Sequence, residues 1–117
     1  MENIYIVEKN LFESDAPVFC HQVNCLGVWG SGIAKSMREI FPDVYEKYRE
    51  ICVKNKYLKL LGNTAIIESG NRYIANMFAQ ERFGYDGIRY TSYDAFYNCL
   101  VRIKEFCEKN NINKIAL

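Results

Sequence analysis

No apolar run in this chain approaches the roughly 20 residues needed to cross a bilayer, which excludes a membrane-spanning helix on sequence grounds. Met1 to Glu8 lack the basic start and long apolar stretch of a secretory signal, so the expected location is the cytoplasm by default. The five cysteines, Cys20, Cys25, Cys52, Cys99 and Cys107, are odd in number and contain no C-x-x-C pair. That argues against both a disulfide framework and a structural zinc site, and most of them read as small buried apolar groups. An excess of one charge is also missing. Fifteen basic residues against fourteen acidic ones leave a formal net charge of +1, which gives no long-range pull towards nucleic acid or an anionic membrane. There is no repeat, linker or low-complexity segment either, so residues 1–117 read as one domain, long enough for a single core.

What is present fits a globular α/β protein. Half of the residues are hydrophobic and a quarter are charged. Asn3 to Val7 is a short β-prone run. Ala16 to Cys25 is continuously apolar in its middle, as expected of a strand covered on both faces. A helix is expected from about Gly32 to Ile40, with Ile33, Met37, Ile40 and Phe41 at helical spacing. Pro42 then starts a second helix to about Cys52, with Val44, Tyr45, Tyr48 and Ile51 or Cys52 on one side. Asn63 to Glu68 and Arg72 to Phe78 form a hairpin around Ser69-Gly70-Asn71. Gln80 to Tyr90 reads as an exposed loop. Thr91-Ser92-Tyr93-Asp94 offers helix-capping chemistry, followed by an apolar stripe of Phe96, Leu100, Ile103 and Cys107. Ile112 to Leu117 is a last strand. The order β-β-α-α-β-β-α-β implies a three-layer fold with a mixed sheet between helices. In such sheets ligands bind beyond the carboxyl ends of the strands.

The loop at such an end carries the chemistry. Asn24-Cys25-Leu26-Gly27-Val28-Trp29-Gly30-Ser31-Gly32-Ile33-Ala34 joins a buried strand to a helix. Glycines let backbone N–H groups turn towards a ligand, and the helix start adds unpaired N–H groups and partial positive charge. The combination suits phosphate or diphosphate. It is not a P-loop, because no Gly-Lys-Ser/Thr follows, and Lys35 stands where a dinucleotide fingerprint needs its third glycine. The spacing alone is equally well explained as a tight strand-to-helix turn. Trp29 reads as a cover for a sugar or base face, or as a core plug. A Cys25–His21 nucleophile pair finds no other support for acyl transfer in the chain.

The wording of the segment is more specific than its spacing. His21-Gln22-Val23-Asn24-Cys25, then Gly27-x-x-Gly30-x-Gly32-Ile33-Ala34, then Phe41-Pro42-x-x-Tyr45 resembles the macrodomains, closest to the branch that processes ADP-ribose 1''-phosphate or removes ADP-ribose from macromolecules. Lys9-Asn10-Leu11, Leu61-Gly62, Asn76-Met77-Phe78-Ala79-Gln80 and Thr91-Ser92-Tyr93 agree in order, so the resemblance covers nearly the whole chain. It implies a macrodomain-like α/β fold that binds ADP-ribose or an ADP-ribosylated substrate, with neither cofactor nor metal. Asn24 would meet the distal ribose, and Gly30, Ser31, Gly32, Ile33 and Ala34 would wrap the diphosphate and that ribose. Asn10 would face the adenine and Gln80 would line the site. As candidate catalytic residues it offers Asn24 and His21, positioning water near the distal ribose. The alternative for His21 is a polar side chain satisfied at a strand end.

Four departures from the family pattern bear on catalysis. Asn10 replaces an aspartate, so the adenine amino group would meet a neutral carbonyl oxygen. Ala34 stands where some macrodomain hydrolases carry an aspartate. Gln80 and Glu81 stand where another branch has a lysine. Macrodomains also continue beyond the strand matching Lys114 to Leu117 into a second glycine-rich loop, whereas this sequence stops at Leu117, so C-terminal elements of the fold are expected to be missing. Two expectations follow. One is hydrolysis of ADP-ribose 1''-phosphate, or of an ADP-ribosyl bond, or binding without turnover. The other is a non-catalytic remnant acting as an interaction or assembly module, with an uncovered edge favouring a homo-oligomer.

Overall fold

The computed structural model describes residues 5–7, 11–27, 32–55, 57–80 and 92–117. The elements among the described residues are β1 (Tyr5–Val7), β2 (Val18–Asn24), α1 (Gly32–Ile40), α2 (Pro42–Lys54), α3 (Tyr57–Leu60), β3 (Thr64–Ser69), β4 (Arg72–Gln80), α4 (Tyr93–Lys109) and β5 (Lys114–Ala116), with a 3-10 turn at Leu11–Glu13. The 3-10 turn and α3 are additions to the expected order; both are too short to show a helical period. The expected loop after Gln80 lies outside the described residues, and Gln80 itself ends β4.

The five strands form one sheet in the order β1-β5-β2-β4-β3. β1 with β5, β5 with β2 and β2 with β4 are parallel, while β3 runs antiparallel to β4. The hairpin closes at the Ser69–Arg72 pair, with Gly70 at φ +60° supplying the left-handed turn. Among the described residues no helix is long and apolar enough to cross a membrane.

Each face of the sheet carries its own core, as a three-layer fold requires. On one face Phe19, Val23, Ile67, Ile74 and Phe78 pack under Met37 of α1 and Val44, Tyr45 and Tyr48 of α2. On the other, Val18, Cys20, Ala75, Met77, Ala79 and Ile115 meet Cys99, Ile103 and Cys107 of α4. The alternation along β2 and β4 is that of strands covered on both sides. Each fully buried large side chain contributes about 1.5–3 kcal/mol, so the central strands hold most of the apolar driving force.

Two helical stripes sit differently from the sequence expectation. In α1, Met37 is buried but Ile33 and Ile40 are each 53% exposed. The face that packs is Ala34, Met37 and Phe41, because the small Ala34 lets the short helix approach the sheet. In α4 the buried line is Ala95, Cys99, Ile103 and Cys107, while Phe96 and Leu100 flank it. Here too small residues, Ala95, Cys99 and Cys107, make up most of the buried line, with Ile103 among them. The α2 face, Val44, Tyr45 and Tyr48, lies where its spacing puts it.

The ends of α4 follow local chemistry. Ser92 is the N-cap and its hydroxyl accepts from the Ala95 N–H at 3.2 Å. Asp94 lies in the first turn and Lys109 in the last, matching the helix dipole. Ser92→Ala removes this cap. It should cost about 1 kcal/mol, read as a lower denaturation midpoint at unchanged slope; an unchanged midpoint would show that the cap is not needed.

Candidate functional site

The two buried parallel strands end side by side. β2 and β4 stay in register from Val18–Tyr73 to Val23–Phe78, then shift so that Asn24 faces Gln80. The residue passed over at this irregularity is Ala79 of β4, just before the glycine-rich segment that follows β2. Asn24 is only 4% exposed. Its Oδ1 accepts from the Leu26 N–H at 3.0 Å, a turn that asparagine favours. The Tyr48 hydroxyl, from α2, is shared between Asn24 Oδ1 at 2.9 Å and the Asn24 main-chain oxygen at 2.7 Å.

Tyr48 is fully buried and stacks on Phe78, with centroids 5.9 Å apart and ring planes 23° apart. Beside it, Cys52 is half-buried. Burial pushes its thiol pKa up, opposed by hydrogen bonds to Tyr48 and to the Gly27 backbone. Gly27 has φ +84°, and a Cβ there would come within 3.4 Å of Cys52 Cβ. The first turn of the segment is therefore backed by α2 at two places, Tyr48 behind Asn24 and Cys52 behind Gly27.

Beyond the segment, α1 begins at Gly32 with no acidic residue in its first turn, so its N-terminal N–H groups keep their attraction for an anion. Ile33 is exposed and Ala34 half-buried. Gln80 is half-buried, and its main-chain oxygen accepts from the Cys25 thiol at 3.6 Å. The structure thus gathers Asn24, Gln80 and the segment's first turn at one sheet end. Asn10, Gly30 and Ser31, and likewise Trp29 and Glu81, lie outside the described residues.

His21 sits lower in the sheet. It is 6% exposed, and its Nε2 lies 2.7 Å from Asn76 Oδ1 on the neighbouring strand. Asn76, fully buried, donates its amide to the main-chain oxygens of Ala65 and Ile74. Asn76 Oδ1 can only accept, so Nε2 carries the proton. Burial lowers the His21 pKa to about 4, against a smaller opposing effect of Asn76. The imidazole is therefore neutral at pH 7. Sequence reasoning did not mark Tyr48 or Asn76 as site residues. Tyr48 showed only an apolar helix position, and Asn76 only a place in the family's wording. Among the described residues no three His, Cys, Asp or Glu side chains converge as a metal site needs.

Two outcomes follow from this geometry. Gly27→Ala forces an L-residue to φ +84°, which costs about 1–2 kcal/mol. Melting should show that loss, and a variant as stable as the parent would show that the turn relaxes freely. For His21, the unfolded imidazole titrates near 6.5 and the folded one near 4, so between those values the unfolded chain binds more protons. Stability is full above about pH 6.5, drops as pH falls towards 4, and changes no further through this group below that. The loss is of order 3 kcal/mol. Urea unfolding from pH 7 to 4.5 measures it, and His21→Gln should flatten the profile; equal slopes would refute the assignment.

No family model matches the chain. Among curated proteins it is 33% identical over 100 residues to the ADP-ribose 1''-phosphate phosphatase of Meyerozyma guilliermondii, which takes in 72% of this chain and 57% of that protein. The chain thus spans a little over half the length of that relative. Among solved structures, the macrodomain of Thermus aquaticus DarG superposes with TM-score 0.80 at 23% identity, covering 97% of this chain and 74% of that one. Thermosipho africanus DarTG, solved in complex with ADP-ribose, superposes with TM-score 0.76 at 22% identity over 98% of this chain and 32% of that one. The mixed sheet between helix layers and these structural likenesses agree: the chain has the macrodomain fold.

Proposed function

We propose that this macrodomain binds ADP-ribose or an ADP-ribose derivative at the carboxyl ends of β2 and β4, and hydrolyses a bond at the distal ribose. The observation that carries the reading is the built turn at Asn24. A buried amide is fixed by Leu26 and Tyr48 at the point where two parallel strands end and a glycine-rich segment leads into α1. The relatives named for ADP-ribose 1''-phosphate and the neighbour solved with ADP-ribose support the ligand class.

In this reading Asn24 meets the distal ribose. Gly30, Ser31, Gly32, Ile33 and Ala34 offer backbone N–H groups to the diphosphate, helped by the start of α1. Gln80 flanks the ribose from β4, and Asn10 faces the adenine. The reaction class is attack by water on the group held at the distal ribose, the phosphate of ADP-ribose 1''-phosphate or an ADP-ribosyl linkage. Asn24 would orient the water or the ribose hydroxyl by hydrogen bonding, since an amide is no base near pH 7. His21 would act from behind, as a neutral side chain that fixes β2 against β4 through Asn76, and not as the proton acceptor. Its burial and its low pKa support that role.

Calorimetric titration with ADP-ribose, with AMP as control, tests the binding. ADP-ribose should bind clearly and AMP weakly, and Asn24→Ala should weaken ADP-ribose by about tenfold, the worth of one good hydrogen bond to a ligand. Phosphate release from ADP-ribose 1''-phosphate then tests turnover. A folded protein that binds neither ligand would overturn the reading.

A further inference from the structure

We infer that a groove between α4 and the start of β3 receives the group to which ADP-ribose is attached, and that this group is a polypeptide. The inference rests on the ADP-ribose reading for what fills the strand-end site, and adds the class of macromolecule joined to it. The groove is a hollow of about 240 Å³ between Gly62 and Asn63 on one side and the flank of α4 on the other. Asn98, Val101, Arg102 and Glu105 line that flank, and their spacing puts them on one side of the helix. The opposite wall is fixed. The Gly62 N–H donates to the Phe78 main-chain oxygen at 2.8 Å, and the Phe78 N–H to that of Asn63 at 2.9 Å. The Asn63 amide donates to the Lys59 main-chain oxygen at 2.8 Å. Gly62 stands at φ +88°, and a Cβ there would lie 3.6 Å from the Asn98 amide nitrogen, so its bare backbone keeps the groove open at Asn98.

Facing that wall, the polar groups of α4 are unspent. Asn98, Arg102 and Glu105 are exposed, and among the described residues their side chains enter no hydrogen bond or ion pair. Position ties the groove to the site. Phe78, gripped by Gly62 and Asn63, comes two residues before Gln80, which faces Asn24 across the ladder. In the sheet β3 lies next beyond β4 from β2, so the groove starts about two strand spacings, roughly 10 Å, from the end of β2. About three extended residues span that distance. A phosphate on the distal ribose is too small to use the groove, whereas a chain attached to that ribose reaches it over the end of β4. The lining then selects the chain. The Asn98 amide offers a donor and an acceptor, the pair that a peptide unit presents in return. Arg102 suits an acidic side chain and Glu105 a basic one. A nucleic-acid strand asks for successive cations along its phosphates, and Glu105, one turn from Arg102, repels it.

Two conjugates test this. In one, ADP-ribose is joined through a side chain to a short peptide with one glutamate and one lysine; in the other, it is joined to a single-stranded oligonucleotide of similar length. The peptide conjugate should bind about tenfold more tightly than ADP-ribose itself, and the oligonucleotide conjugate no more tightly. An Asn98→Ala, Arg102→Ala double variant, altered only at exposed positions, should lose that advantage and bind ADP-ribose within about twofold of the parent. A peptide conjugate no tighter than ADP-ribose, an oligonucleotide conjugate as tight as the peptide one, or an advantage that survives in the double variant would overturn the inference. The bare peptide separates this from failure of the ADP-ribose reading. At millimolar concentration it should shift the Asn98 and Arg102 amide signals in 15N-resolved spectra, whether or not ADP-ribose binds. If those signals stay in place, the groove takes no peptide and the inference falls even where ADP-ribose binding is seen.

Discussion

The parallel pairing of β2 with β4, covered by helices on both faces, is the constraint on which the rest of the structure depends. Two strands covered on both faces are apolar where they are buried, and in β2 and β4 the buried positions are so except at His21, Asn24 and Asn76. Their polar exceptions must then be satisfied across the ladder, since an unpaired polar group in such a layer is costly. His21 and Asn76 meet that demand as direct register partners. Their bond links the two central strands, and the Asn76 amide reaches on to Ala65 of β3. A polar line thus crosses the apolar sheet without leaving it.

Where that ladder ends, the site begins. The shift between Val23 and Asn24 sets the last residue of β2 opposite Gln80, and α2 adds its support through Tyr48. The side chains that build the core on this face also build the site: Tyr48 packs on Phe78 with its ring and holds Asn24 with its hydroxyl. Cys52, one helical turn further, stands behind Gly27. Polar networks in such surroundings are strong when complete and destabilising when broken, so the packing of α2 and the geometry of the segment are one problem and not two.

The likenesses to known proteins join a sequence relative named as a phosphatase in Meyerozyma guilliermondii to a structural neighbour, the macrodomain of Thermus aquaticus DarG. A fold shared in this way does not select the chemistry; the residues at the strand ends do. In the proposed function the chain's contribution is oriented hydrogen bonding at the strand ends. Asn24 is the side chain the structure prepares most fully for that task, since its oxygen, its main chain and its neighbouring turn are all held.

The sequence by itself determined what is local. The glycine-rich segment, the start of α1 at Gly32 and of α2 at Pro42, the hairpin around Gly70 and the Ser92 cap are all written in neighbouring residues, because dihedral preference and capping act over a few positions. The doubly buried character of β2 was legible too, from its unbroken apolar middle. Tertiary structure decided the rest. Ala34 and Cys99 face the sheet in place of Ile33 and Leu100 because the distance a helix can approach depends on the layer opposite, which a helical period does not contain. Asn76 meets His21 across 55 residues and Tyr48 meets Asn24 across 24. Which polar group satisfies which is fixed only when separate elements are pressed into one core, since it is burial there that makes an unmet hydrogen bond too costly to keep.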